Sequence, residues 1–262
     1  MSLTDKTVAT TFKDLLIISN SNNGFDTNID QIKSGNGNGS SLYLSTNNLK
    51  VQPTADSTTN SVIYDKDGNI LFQVDSTNDA VKALGNHVNT QYAHFGITSV
   101  GATNYAANTH YPIFFNSNTG YAPEADVDFG TGTDPDDSFT TADTDTQYAS
   151  QLLPVIWLLP DAISIDSIFH IEGADVATGD SATRMHLKSF DFTAGSTSCL
   201  TNGALLAHNS DVTNAGNEQI YKSSWTVDSA SVASGKAILC FFRSDSVNSD
   251  YSISVTIKYH LT

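Results

Sequence analysis

The sequence predicts an all-β protein whose largest part is an antiparallel β-sandwich of jelly-roll type. Three observations carry that expectation. The first is composition: Ser (31), Thr (30), Asn (22), Asp (25) and Gly (17) make up nearly half of the 262 residues, and Asp outnumbers Glu 25 to 3. Short polar side chains compete for the backbone and favour turns over helix interiors. The second is strict alternation at the C-terminal end, where Tyr251, Ile253, Val255, Ile257, Tyr259 and Leu261 take one face and Ser252, Ser254, Thr256, Lys258 and His260 the other, the period of a half-buried strand. The third is the punctuation of short apolar runs by Gly- and Asp-rich turns with no long helical period between them. With 39% hydrophobic and 10% aromatic residues, the chain has enough apolar surface to form a core.

Residues 1–34 read as a short helical or extended attachment segment. Thr4 or Thr7 can cap a short helix, Phe12, Leu15, Leu16 and Ile18 lie at helical spacing, and Asn20 to Gly24 stops it. A helix this short needs a surface to pack on, either its own chain or a neighbouring subunit. Residues 35–86 read as a thin β-stem. Leu42-Tyr43-Leu44-Ser45-Thr46-Asn47 lines up with Phe72-Gln73-Val74-Asp75-Ser76-Thr77-Asn78 as a weak repeat of strand, turn and strand. Val62 and Tyr64 face Ile70, Phe72 and Val74 across Asp67-Gly68, a hairpin signal. Asp65 to Asn69 lacks the spaced ligands of an EF-hand loop, which favours the hairpin. Strands this short cannot bury enough surface alone, so the stem predicts oligomerisation.

Residues 87–262 read as the sandwich head. Ile163 to Ile171 and Met185 to Phe192 alternate, and Ala237 to Phe242 is a continuous apolar run suited to a central strand. Pro154 and Pro160 bracket a strand candidate, Val155 to Leu159. Gly101 to Gln147 is poorly periodic yet rich in aromatics, which predicts an ordered loop with short strands, partly buried between subunits.

The formal net charge is -16, and the 101 residues from Ala83 to Thr183 hold 13 acids and neither Lys nor Arg. Phosphate backbones and anionic membranes need clustered cations, so nucleic acid and membrane are excluded as partners and cations are favoured. Cys199 and Cys240 form no CxxC or zinc pattern; a buried thiol is the ordinary reading of Cys240, and a disulfide depends on geometry. Leu15 to Ile18 is too short for a signal sequence, and Leu152 to Leu159 is far below a membrane span. A protein made in a cytoplasm is expected.

No G-x-S-x-G elbow, P-loop or dinucleotide-binding motif occurs. The carboxylates sit in turns, and none is singled out as the pair a glycosidase requires. A non-enzymatic protein is therefore expected. Asp134, Asp136 and Asp137, with Asp143 and Asp145, place many hard oxygen donors in one loop. That donor type suits calcium, and a solvated acidic loop is the other reading. His170 and His186 are expected to satisfy local hydrogen bonds rather than bind zinc. Tyr105, Tyr111, Tyr121 and Trp225 are candidates for stacking on a sugar, with core packing as the alternative fate of each.

Thr11 to Leu16 followed by Asn20 to Gly24, Gly37 to Thr46, the Leu71 to Asp75 rung and the closing Lys258-Tyr259-His260 resemble structural proteins of tailed bacteriophages, especially aquatic ones. The resemblance covers the whole chain in organisation and carries no catalytic fingerprint. It implies a homotrimeric fibre or capsid-decorating subunit on the virion surface, assembled in the host bacterial cytoplasm. Residues 1–34 would bind capsid or tail proteins, and adhesion to a host surface glycan is a further role it leaves open. Two alternatives stand beside it: a free carbohydrate-binding or calcium-dependent adhesion module, and an Asp-based glycan hydrolase of tailspike type.

Overall fold

The computed structural model describes residues 16–21, 23–100, 105–116, 127–140, 149–176, 181–214, 218–247 and 249–262. The described residues are all-β, with one four-residue helix among them, α1 (Ala149–Leu152), running into a 3-10 turn at Leu153–Val155. The chain divides into two compact units, residues 1–88 and 89–262.

The first unit holds two four-stranded antiparallel sheets. One contains β1 (Leu16–Ile18), β2 (Asp30–Ser34), β3 (Gly39–Leu44) and β4 (Leu49–Val51); the other contains β5 (Ser61–Tyr64), β6 (Ile70–Asp75), β7 (Ala80–Ala83) and β8 (Asn86–His87). The helical period expected to reach Leu16 and Ile18 ends in an extended strand, because Ile18 pairs with Ile32 and Leu16 with Ser34; the rest of that segment lies outside the described residues. A boundary at residue 34 falls at a hairpin between β2 and β3, so one sheet spans the attachment segment and the start of the stem.

The repeat is real and is longer than its sequence signal. Gly37 and Gly68, Leu44 and Asp75, and Leu49 and Ala80 occupy equivalent places, each pair 31 residues apart. In both copies a glycine at positive φ (84° and 86°) turns the first hairpin. The amides of Gly37 and Gly68 donate to the carbonyls of Ser34 and Asp65. Asp65, read as part of the hairpin, caps that turn by accepting from the amides of Asp67 and Asn69. The structural offset pairs Leu42 with Gln73, one residue away from the sequence alignment with Phe72. A one-residue slip moves a strand's side chains to the other face. The apolar faces of the two copies therefore lie on opposite sides of equivalent strands: Leu42, Leu44, Leu49 and Val51 in the first, Ile63, Phe72, Val74, Val81 and Ala83 in the second.

The second unit is a sandwich. One sheet runs β11 (Phe114–Phe115), β9 (Thr90–Val100), β21 (Ser249–Leu261), β13 (Ile163–Val176), β17 (Gln219–Ser224), with β19 (Ser231–Val232) also on β13. The other runs β10 (Tyr111–Pro112), β20 (Lys236–Ser244), β14 (Ser181–Phe192), β15 (Leu200–His208), β18 (Thr226–Val227); β12 (Trp157–Leu158) also pairs with β20 and β16 (Val212–Asn214) with β14. Strands from early and late in the sequence alternate across each sheet, the double Greek key of a jelly roll. The core between the sheets takes Phe95, Ile165, Leu187, Cys240, Val255 and Ile257 among others. The alternation of β13 survives a bulge between Ile165 and Ser167, which lets Ile163, Ile165, Ile168 and His170 all point inward.

β20 is buried on both faces. Ile238, Cys240 and Phe242 enter the core between the sheets. Ala237, Leu239 and Phe241 enter a second core with Phe129, Phe139, Leu152 and Phe190, beneath residues 127–140 and 149–155. The strand expected between Pro154 and Pro160 shrinks to β12, because Leu152 and Val155 are drawn into that second core by α1 and the 3-10 turn. The two cysteines are free, one in each core. Phe241→Ala is expected to cost about 3–5 kcal/mol in denaturant unfolding, the range for truncating a fully buried aromatic.

Candidate functional site

The acidic loop that the sequence singles out lies over the outer face of β14. Met185 and Leu187 point into the core between the sheets, and His186 and Lys188 point out beneath the loop. Lys188 is 2% exposed; its Nζ donates to the Pro135 carbonyl at 2.7 Å and pairs with Asp137. His186 Nε2 lies 3.3 Å from Asp134 Oδ1, and His110 Nε2 lies 3.1 Å from the Gly132 carbonyl. The two imidazoles meet edge to face with centroids 5.0 Å apart. Backbone bonds complete the latch: Phe129 N to His110 O (2.8 Å), Asp136 N to Phe129 O (2.7 Å) and Gly203 N to Asp137 O (2.8 Å). Gly203 is required there, since a Cβ would stand 2.8 Å from Asp137 Cα.

A carbonyl and a carboxylate oxygen face the two Nε2 atoms, so each ring is assigned its proton on Nε2. Each Nδ1 is then a buried acceptor without a partner. Burial pulls His110 down to about 4, with Arg243 and Lys188 lowering it further against Asp134 and the Gly132 bond. Burial likewise pulls His186 down to about 3, helped by His110, Arg184, His208 and Arg243. Burial and the charge of Asp128 raise the Asp136 carboxyl.

The loop's carboxylates go to separate partners. Asp134 meets His186, Asp137 meets Lys188, and Asp136 packs over Gly130. Among the described residues these three do not converge as a ligand cluster, and Asp143 and Asp145 lie outside those residues. Lys188 already supplies a positive charge inside the loop, the role a calcium ion would otherwise fill. Sequence reading missed Lys188, because alternation on β14 shows two faces without showing that both are covered.

A second polar cluster joins the sheets inside the sandwich. Trp225 Nε1 donates to His170 Nδ1 at 2.8 Å, which places the ring's own proton on Nε2, 3.3 Å from Glu172 Oε2. Thr183 Oγ1 lies 2.8 and 3.0 Å from the Glu172 oxygens, and Asn214 Nδ2 donates to Oε1 at 3.2 Å. Side chains from β13, β14 and β16 thus converge on one fully buried carboxyl. His170 is satisfied at Nδ1, while its buried Nε2 has no hydrogen bond and lies beside the Glu172 carboxyl.

Tyr105, Tyr111 and Trp225, weighed as sugar-stacking residues, are buried at 6, 3 and 8% exposure and present no free ring face; Tyr121 lies outside the described residues. An open cleft of about 420 Å³ lies where β13, β17 and β21 end, lined by Asp175, Glu218, Gln219, Ile220, Asp250 and Ser252.

No family model matches the chain, and no curated protein is similar to it. A solved aminopeptidase from a marine sediment archaeon, Thaumarchaeota archaeon, is similar over 73% of this chain at 6% identity with a TM-score of 0.34. The match spans 40% of that structure's length, and likeness at this level carries no argument about activity.

Two outcomes follow from this geometry. Both histidines titrate below the ordinary 6.5, so the unfolded chain binds their protons first and stability falls as pH drops from about 6.5 towards 3–4. The denaturant midpoint should decline over that window, and His186→Gln should flatten the decline. Glu172→Ala leaves buried donors from Thr183, Asn214 and His170 without an acceptor. It should cost about 3–5 kcal/mol in equilibrium unfolding, and Thr183→Val about 1–2 kcal/mol.

Proposed function

We propose that this protein is a non-enzymatic structural subunit of a bacteriophage particle, a homotrimeric fibre or capsid-decorating appendage displayed on the virion surface. The observation that carries the reading is the state of residues 16–88. Among the described residues of that unit only Ile32, Asp75 and Ala80 are buried. Leu49 (66%), Ile63 (59%), Val51 (49%) and Phe72 (36%) stay exposed on two apolar sheet faces. Short sheets without a core are not stable alone in water, and an apolar face of this kind marks a protein contact. Other copies of the chain packed alongside would cover both faces.

The jelly roll of residues 89–262 supports a role in display, since this architecture serves capsid and lectin domains; that support is an analogy of fold. The resemblance to tailed-phage structural proteins points the same way, with residues 1–34 contacting capsid or tail proteins and a host glycan as a further partner. The latched loop and the His170–Glu172 cluster read as stabilising devices, since their charged groups are paired within the chain.

Light scattering on the full-length protein is expected to return three times the 28.0 kDa chain mass, and Phe72→Asp should lower that mass while the β-rich circular dichroism of the sandwich persists. A monomeric wild-type mass overturns the proposal. Imaging of intact particles assigns capsid or tail.

A further inference from the structure

We infer that a small pocket at one end of the sandwich, where β9 and β13 begin and β21 ends, binds the acetamido group of an N-acetylated sugar. The site lies within the sandwich of one chain, so it goes beyond the proposed trimer and is tested apart from it.

Four segments build the pocket. β9, β21 and β13 lie side by side, with Gln91 opposite Tyr259 and Ile163 opposite Leu261. β12 brings Trp157 from the other sheet, and Leu159-Pro160-Asp161 carries the chain from β12 to β13. A cavity of about 120 Å³ opens among these residues. Its floor is core: Trp157, Leu159 and Ile163 are buried, and Leu261 packs against the same cluster. Its rim is polar, since Gln91 and Asp161 are exposed.

The pocket is formed in advance of any ligand. Trp157 stacks on Phe115 with centroids 5.5 Å apart and meets Tyr259 at 5.0 Å. The Tyr259 hydroxyl donates to Gln91 Oε1 at 2.9 Å, which leaves the Gln91 NH2 for a ligand. Among the described residues, neither the Trp157 N–H nor the Asp161 carboxylate has a partner in the chain. A buried indole N–H ordinarily finds an acceptor, as that of Trp225 does in His170. Trp157, 7% exposed and lining the cavity, keeps its N–H for an acceptor from outside.

The chemistry of the pocket selects the ligand. The cavity is smaller than the roughly 150 Å³ that holds benzene, so it takes a group rather than a whole ring. Apolar walls suit a methyl, an N–H donor suits a carbonyl oxygen, and a carboxylate suits an amide N–H. An acetamido group carries these three features together. Phe115 covers a face of the Trp157 ring, so recognition runs through the indole edge and not through stacking. An acetylated lysine carries the same group; the polar rim of Gln91 and Asp161 favours the sugar, whose hydroxyls it can bond.

Saturation-transfer NMR on the full-length protein tests this with N-acetylglucosamine, glucose and Nε-acetyllysine. N-acetylglucosamine should bind with its acetyl methyl receiving the strongest saturation, and glucose should not bind. Asp161→Ala and Trp157→Phe should each weaken binding about tenfold, the worth of one hydrogen bond in a desolvated site. Asp161 is exposed, so its variant should keep the wild-type circular dichroism. No saturation of N-acetylglucosamine, or equal saturation of glucose, overturns the inference. Unchanged binding by both variants places the sugar elsewhere and also overturns it, and stronger saturation of acetyllysine overturns the sugar as the source of the group. Binding and light-scattering mass are read separately, so either reading can fail while the other stands.

Discussion

The constraint on which residues 89–262 depend is that the central part of the β14–β20 pair is buried on both faces. Both strands lie inside one sheet and carry side chains into two cores, one shared with the opposite sheet and one shared with residues 127–140 and 149–155. Six consecutive apolar residues, Ala237 to Phe242, are tolerable in a strand only under that condition. Each large side chain among them contributes on the order of 1.5–3 kcal/mol on burial, so the loop and α1 that form the second lid are part of the fold.

The polar groups follow from that double burial. Lys188 and His186 sit on the face of β14 that would be solvated in a two-layer sandwich, and the lid removes them from water. A buried ammonium needs acceptors, and the Pro135 carbonyl and Asp137 supply them. A buried imidazole stays neutral, which burial enforces at both His110 and His186. The same logic places Thr183, Asn214 and His170 around Glu172, where a single carboxyl serves side chains from both sheets. Such groups specify which strands face each other more than they add to stability.

The first unit obeys the opposite economy. Its turns are well bonded and repeat at 31 residues, yet its apolar side chains find little cover within one chain. Local hydrogen bonding gives each rung its shape.

Much of this was legible in the residues. Alternation marked β21 and β14, the unbroken run marked β20 as central, and Asp67-Gly68 marked its hairpin, because strand period and turn chemistry are local properties. The repeat was visible in Ser45-Thr46-Asn47 and Ser76-Thr77-Asn78, which stand at the structural offset, while matching Leu42 to Phe72 put the preceding strand one residue out, because the apolar residues of the two copies occupy opposite faces. What tertiary structure alone decided was which faces are covered. The sequence determined that Asp134, Asp136 and Asp137 share a loop; only the fold brought Lys188 and His186 beneath it, from residues some fifty positions away. It likewise determined that Tyr105, Tyr111 and Trp225 are aromatic, and the packing of two sheets decided that they serve the core. Burial is a property of distant segments meeting, and no local pattern contains it.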